Sequence, residues 1–412
     1  MLCAVLLGLL QTTWVVDAAA GPGSNFTDLP AAIAAAAPGD TILVLPGTYS
    51  AFALAGKGVA IRGAGRGITI VNGPSNTVGA TPAGFTDLLS GMTLHGGLNA
   101  QVGAVLTLTD CEIIGTSGVN GGYLGLYAHA CQVFALRCSF RGGDAIGPPS
   151  PFTATMSGGH GAYVSSTRFA ASECTFVGGD VPNPGGGPSY AGGGAWLDSS
   201  TTARLNACSL TGGSTSGWGI AGDGAYVRTD TRVDVDGGPA NVIARGSGLI
   251  PGGPLGGNAI RVEAGAPFSH VIVRGTVTLS GPVYGPVTLG APSLPRLSVD
   301  AATLASGETD STQPVTVRFD GQTPSMAFVF LLGFRPSYTP VQAPFFGDLL
   351  MDLSASALMS GPLDLAGQFQ FAFVPLSIFG GPVPFPFYMQ FAVLEANGDV
   401  RLSHLDARFY SL

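Results

Sequence analysis

The 412-residue chain holds 64 Gly and 30 Pro, nearly a quarter of its length, where average proteins carry roughly 12 per cent. Long helices are excluded. With 46% hydrophobic but only 10% charged residues, the chain is too apolar for disorder and too interrupted for membrane helices, and a net charge of -8 with Lys57 as the only lysine leaves no basic patch for nucleic acid.

In chain order, Leu2 to Leu10 is an apolar run of signal-peptide length, too short to span a bilayer, although a basic stretch before it is missing. Trp14 to Asp17 reads as a first strand, which places cleavage near Thr12 or Thr13 and makes 1–13 a signal segment. Cys3 is then lost, leaving Cys111, Cys131, Cys138, Cys174 and Cys208, an odd number that cannot all pair in one chain. Asn25-Phe26-Thr27 fits a glycosylation sequon. An Ala-rich helix is expected over Phe26 to Ala37, capped by Asn25 or Thr27 and stopped by Pro38-Gly39.

A repeat follows. Cys111-Glu112-Ile113, Cys138-Ser139-Phe140, Cys174-Thr175-Phe176 and Cys208-Ser209-Leu210 recur at spacings of 27, 36 and 34, the last three each leading into a Gly-Gly pair. Met92 to Gly97 and Val233 to Gly238 extend this series. A second phrase interleaves with it: Gly125-Leu126-Tyr127-Ala128, Gly161-Ala162-Tyr163-Val164, Gly194-Ala195-Trp196-Leu197 and Gly224-Ala225-Tyr226-Val227, with Asn258-Ala259-Ile260 a degenerate copy. Each period thus holds at least two short strands joined by Gly-rich bends, the pattern of a β-solenoid in which Gly supplies positive φ at corners. The helix seals the open end of the first coil.

Asn25 to Ala37, then Pro38-Gly39-Asp40-Thr41 through Pro46-Gly47-Thr48-Tyr49 and Val59 to Gly65, resembles the opening of right-handed parallel β-helix proteins of the pectin-lyase-like superfamily, over roughly residues 14 to 290. The resemblance implies that fold and a leaning toward acidic or other extracellular polysaccharides, but no particular reaction. From Pro292 the composition changes: Gly falls, Phe rises, and Ala396-Asn397-Gly398-Asp399 marks a hairpin turn. This tail reads as a small antiparallel β-sandwich, similar to short modules of secreted bacterial proteins, with adhesion, anchoring and capping all open. The expected architecture is therefore all-β: a right-handed parallel β-helix with an N-terminal capping helix over 14–291, and a β-sandwich module over 292–412.

Four groups of residues carry candidate chemistry. Gly159-His160-Gly161, with Asp144 upstream, resembles the Gly-His-Gly of polygalacturonases, but the other marks of that family are absent and His160 occupies a variable slot of the repeat. Strand alternation turns Arg137 and Arg141 outward beside Asp110, Glu112 and Glu173, forming either an acid, base and uronate-holding cluster or a salt-bridge ladder that fixes coil register. The same alternation turns Tyr127, Tyr163, Trp196 and Tyr226 outward in a row with His129, Ser165, Asp198 and Arg228, suited to a linear glycan unless the loops over 142–160 and 178–193 cover it as a satellite core. Asp144 and Asp180 follow Gly-Gly pairs and together offer oxygens to calcium. The inward cysteines read as a packed thiol stack rather than a redox centre.

The candidate catalytic residues are thus Asp144, His160, Arg137 and Glu173, and the candidate substrate contacts are Tyr127, Tyr163, Trp196, Tyr226, Arg141 and Arg228. The functional expectation is an exported protein that binds or cleaves an extracellular, uronate-like polysaccharide, as a lyase or hydrolase if it is an enzyme. The alternative is a non-enzymatic envelope or matrix protein. Nothing in the sequence assigns an oligomeric state.

Overall fold

A computed structural model describes residues 12–119, 121–146, 156–182, 189–216, 219–237, 241–248, 256–263 and 268–291. Beyond these it describes 294, 296–300, 309–310, 313–321, 325–333, 336–340, 345–346, 348–351, 356–364, 368–373, 383–395, 399–403 and 405–411. The chain divides into two compact units, 1–291 and 292–412.

In the first unit nine coils each contribute one strand to each of three parallel sheets, and the long sheet has one further strand at either end. The long sheet has eleven strands, from Thr13–Val16 to Val287–Ala291. The second has nine, from Gly47–Ser50 to Thr278–Ser280, and the third nine, from Ala53–Leu54 to Val283–Tyr284. Every neighbouring pair is parallel and each strand pairs with its equivalent one coil away, which is the architecture of a parallel β-helix. Among the described residues no helix is long and apolar enough to cross a membrane.

The interior is a set of columns, one residue per coil. Ile113, Phe140, Phe176, Leu210 and Ile243 stand in register and are fully buried, and the Phe140 and Phe176 rings stack 5.0 Å apart. Cys111, Cys138, Cys174 and Cys208 form the next column, all free and buried. Each thiol donates to the carbonyl two residues earlier, at 3.2 to 3.3 Å. The residue between is the corner from the long to the second sheet: Asp110, Arg137, Glu173 and Ala207 all have φ near +50°. A left-handed corner costs a non-Gly residue energy. Here it is held by coil-to-coil hydrogen bonds, such as Arg137 N–H to Ser172 O at 2.9 Å, as well as by the thiol. Burial pushes the thiols of Cys111 and Cys174 well above their ordinary range, so they remain protonated.

Three sequence expectations change. The helix is Leu29–Ala35, shorter than Phe26 to Ala37, with Asp28 rather than Asn25 or Thr27 as its N-cap and Pro30 in its first turn. Asn25 instead accepts from Val15 N–H, tying the chain to the first strand. The Val233 phrase is not a copy of the Cys phrase: Arg232–Gly237 lies in the long sheet, and Val242–Ala244 continues the second. An alternating apolar pattern serves every sheet of a solenoid, so alternation alone cannot assign one. Finally, the Gly-Gly pairs after Cys138, Cys174 and Cys208 are not left-handed corners, since none of Gly142, Gly143, Gly178, Gly179, Gly212 or Gly213 has positive φ, unlike Gly96 and Gly97. Their role is close backbone approach.

The second unit is built on antiparallel pairing. A three-stranded sheet, Arg296–Asp300, Val315–Asp320 and Gln368–Phe373, and a larger one around Ser325–Gly333 and Val383–Glu395 share one apolar core. Phe319 lies at its centre, within 6 Å of the rings of Phe328, Phe330, Phe369, Phe371 and Phe391. Val383–Glu395 pairs antiparallel with Val400–Leu402, as a hairpin there requires; the turn residues 396–398 lie outside the described residues, as does the apolar run of 2–10.

Candidate functional site

From the fifth coil of the long sheet onward, the connection from the second sheet to the third lengthens into an out-and-back excursion. Its outgoing strands, Gly118–Val119, Ala145–Ile146, Val181–Pro182 and Thr215–Ser216, pair in two parallel ladders. Its returning strands, Met156–Ser157 and Ser189–Tyr190, pair likewise. Stacked excursions make a flange with its own small core of Ala145, Met156, Val181 and Ala191.

Glycines form the neck of the flange. A continuous ladder of hydrogen bonds zigzags between outgoing and returning backbones: Gly143 N–H donates to Tyr123 O, Gly159 to Gly143, Gly179 to Gly159, Gly192 to Gly179, Gly213 to Gly192, Gly222 to Gly213 and Gly246 to Gly222, each at 2.7 to 3.0 Å. A Cβ at Gly159 would fall 1.9 Å from the Tyr123 carbonyl oxygen. Only residues without a side chain allow two backbones to meet this way.

The flange stands beside the outer face of the third sheet. There Asn99, Tyr127, Tyr163, Trp196, Tyr226 and Arg261 occupy one register position in six successive coils. Their neighbours Leu126, Ala128, Ala162 and Val164 are fully buried, so the row faces outward, and its four aromatic rings are half-buried. The rings differ in what they offer. Tyr127 and Tyr163 lie nearly parallel at 5.6 Å and spend their faces on each other. Trp196 meets Tyr226 edge-on at 4.7 Å, and the Arg261 guanidinium lies over Tyr226 at 3.6 Å.

Trp196 and Tyr226 open into a pocket of about 540 Å³ between row and flange, within the size range of small-ligand sites. Its walls are mostly Gly, Ala and aromatic residues, Tyr190 of the flange among them, and besides the tyrosine hydroxyls its polar side chains are Ser157, His160, Asp223 and Arg261. The half-buried His160 ring rests against Trp196, centroids 4.7 Å apart. Its Nδ1 accepts from Gly193 N–H at 2.7 Å, which puts the proton of the neutral ring on Nε2. Burial and the positive charge of Arg261 pull its pKa down from 6.5 to about 4. At neutral pH His160 is therefore a hydrogen-bond donor, not a base.

Asp223 is 4% exposed; its Oδ2 pairs with Arg261 Nε at 2.7 Å and its Oδ1 accepts from Asn258 N–H and Nδ2. Burial raises its pKa in spite of Arg261. Two residues along each strand lies a second polar line. Arg228 bridges Asp198 (3.3 Å) and Glu263 (3.1 Å), while the Tyr163 and Tyr226 hydroxyls donate to Asp198 and Glu263 respectively. The hydrogen bond to Glu263, with both carboxylates, raises the Arg228 pKa.

The sequence-derived candidates thus fall in three places. Tyr127, Tyr163, Trp196, Tyr226, Arg228 and His160 gather at the row and pocket. Arg137 lies at the corner between the long and second sheets, its Nε and Nη2 paired with Asp110 at 3.0 and 3.1 Å, and Glu173 is exposed at the same corner one coil on. Asp144 and Asp180 lie on the flange, where Asp144 accepts from Asp180 N–H, Asp180 from Ser214 N–H, and Arg141 pairs with Asp144.

Asp144, His160, Arg137 and Glu173 consequently do not converge on one reaction centre. The Asp144 and Asp180 Oδ1 atoms each accept an N–H of the next coil, and no cluster of three or more acidic, His or Cys ligands occurs among the described residues. Sequence reasoning did not single out Tyr190, Asp223, Arg261 or Glu263 as site residues. Extending the register from Asn258-Ala259-Ile260 would have found Arg261 and Glu263, had the change from aromatic to charged residue not hidden the column.

No protein-family model and no curated protein matches the chain. Among solved structures it is similar to the tailspike protein gp49 of Acinetobacter baumannii bacteriophage Fri1, a capsular polysaccharide depolymerase, at 10% identity over 97% of this chain and 85% of that one, with a TM-score of 0.19. A TM-score that low carries no argument about this chain's activity.

Proposed function

We propose that the first unit is a glycan-binding β-helix of a protein that works outside the cell, and that a polysaccharide engages it along the third sheet with one or more sugars in the pocket at Trp196 and Tyr226. The observation that carries this reading is a register-locked aromatic row running into a pocket whose apolar walls surround a few fixed polar groups. Sugars present C–H faces to aromatic rings and hydroxyls to polar neighbours, and both are available here within one coil of each other. The apolar run of 2–10, read as an export signal, fits the same location.

Binding without cleavage is the reading we favour. Glycoside hydrolysis ordinarily uses two carboxylates across the scissile bond. The described pocket lining offers one, Asp223, already held by Arg261 and Asn258; Asp198 and Glu263, two residues along the strands and outside that lining, are both held by Arg228, and the proton of His160 sits on the nitrogen that a base would need free. The test is affinity electrophoresis of the full chain through gels containing single polysaccharides, with Trp196→Ala alongside. Retardation by at least one polysaccharide, lost in Trp196→Ala at unchanged fold by circular dichroism, is expected. Equal retardation of both proteins would remove the aromatic row from the account, and release of reducing or unsaturated sugar ends would overturn the non-catalytic reading.

A further inference from the structure

We propose that this cleft takes an uncharged glycan and discriminates against uronate-bearing chains, a refinement that rests on the glycan-binding reading above. The charges around the Trp196 and Tyr226 rings are three carboxylates, Asp198, Asp223 and Glu263, against two guanidiniums, Arg228 and Arg261, so the site carries a net negative charge. Proteins that read carboxylate sugars aim the guanidinium fork at them, two parallel N–H groups to two oxygens.

Neither Arg holds the Nε edge of its fork open. Arg228 sends Nη1 to Asp198 and Nε to Glu263. Arg261 sends Nε to Asp223 while its plane lies on Tyr226. A uronate taking either Nε edge would have to displace one of these carboxylates, and on any edge it would sit beside the others, where like charges so close are costly even when partly solvated. A neutral sugar meets no such penalty. Carboxylate oxygens carry more lone pairs than these donors use, so they accept sugar hydroxyls without breaking an ion pair, and the Nε2–H of His160, beside Trp196, supplies a donor. On this proposal a neutral sugar takes the place of the uronate toward which the sequence leaned.

The experiment compares migration of the full chain through gels of several neutral polysaccharides, among them a β-glucan, a galactomannan and dextran, and through polygalacturonate, at one fixed salt concentration, for wild type, Trp196→Ala and Glu263→Gln. Expected are retardation by a neutral polysaccharide, none by polygalacturonate, and in Glu263→Gln a gain in polygalacturonate affinity of about twofold to fivefold, the worth of one partly exposed ion pair. Retardation of wild type by polygalacturonate that disappears in Trp196→Ala overturns this inference while leaving the glycan site in place. No retardation by any polysaccharide overturns the glycan reading itself, and a Glu263→Gln protein indifferent to polygalacturonate removes the charge argument.

Discussion

Substituting Gly159 by Ala tests the physical role of the glycine neck. The added Cβ would lie 1.9 Å from the Tyr123 carbonyl oxygen, 2.5 Å from its carbonyl carbon and 3.0 Å from Gly143 N. All three are backbone atoms, so no side-chain rotation relieves the contact. Heavy atoms rest at about 3.5 Å or more, and the two backbones would have to part by roughly that difference. Parting them breaks the Gly159 to Gly143 bond (2.9 Å) and the Gly143 to Tyr123 bond (2.8 Å). A buried hydrogen-bonding group left unmade costs about 1–3 kcal/mol, and overpacking adds about 1–3 kcal/mol, so a loss of at least about 3 kcal/mol is expected.

Gly159 does not have positive φ, so the cost comes from the clash and not from the backbone conformation. Gly121→Ala is the matched control: its Cβ would meet nothing closer than 3.7 Å, and a change within about 0.5 kcal/mol is expected. Urea denaturation of the full chain reads global stability. Amide hydrogen exchange at Gly143, Gly159 and Gly179 reads the ladder should the flange open without the coils unfolding. If Gly159→Ala matches Gly121→Ala in both measurements, close backbone approach is not why the glycines are there.

Two further outcomes follow from the electrostatics. His160 has a folded pKa of about 4 against an ordinary 6.5, so the unfolded chain binds the extra proton first. The neutral ring's contribution to stability is full above about 6.5 and is lost as pH falls toward 4. Urea midpoints measured across that interval should rise with pH more steeply in wild type than in His160→Gln, and parallel curves would contradict a ring held neutral by the fold. For Arg137 and Asp110, whose side chains are 21% and 39% exposed, a double-mutant cycle should return a coupling of about 1 kcal/mol or less and unchanged glycan affinity. A coupling above about 2 kcal/mol, or lost binding, would show that this corner is more than a solvated ladder.

The columns of the solenoid were legible because coils stack in register: once the Tyr127, Tyr163, Trp196 and Tyr226 phrases align, strand alternation fixes which side chains face out, and the same logic aligned Asp110 with Arg137. What was not legible depends on contacts the repeat does not encode. Asn25 and Asp28 are equally good caps on paper, and what separates them is long-range: Val15 N–H engages Asn25, while Ser50 N–H and Leu29 N–H meet on Asp28. Val233-Asp234-Val235-Asp236 has an alternation that any of the three sheets would accept.

The Gly-Gly pairs hid the flange for a deeper reason, which is that glycine has two uses and sequence does not distinguish them. One use is positive φ, and there glycine is replaceable: Gly91 supplies it at one long-to-second corner, while Asp110, Arg137, Glu173 and Ala207 adopt it at the next four, each restrained by coil-to-coil bonds and by the thiol that follows. The other use is the absence of a side chain where backbones touch, and that use has no substitute. The corners are thereby free to carry outward charge and to vary, while the neck is not. A pocket wall built on that neck inherits its rigidity, which is what a site needs in order to hold His160, Trp196 and Tyr226 in fixed relation to a ligand.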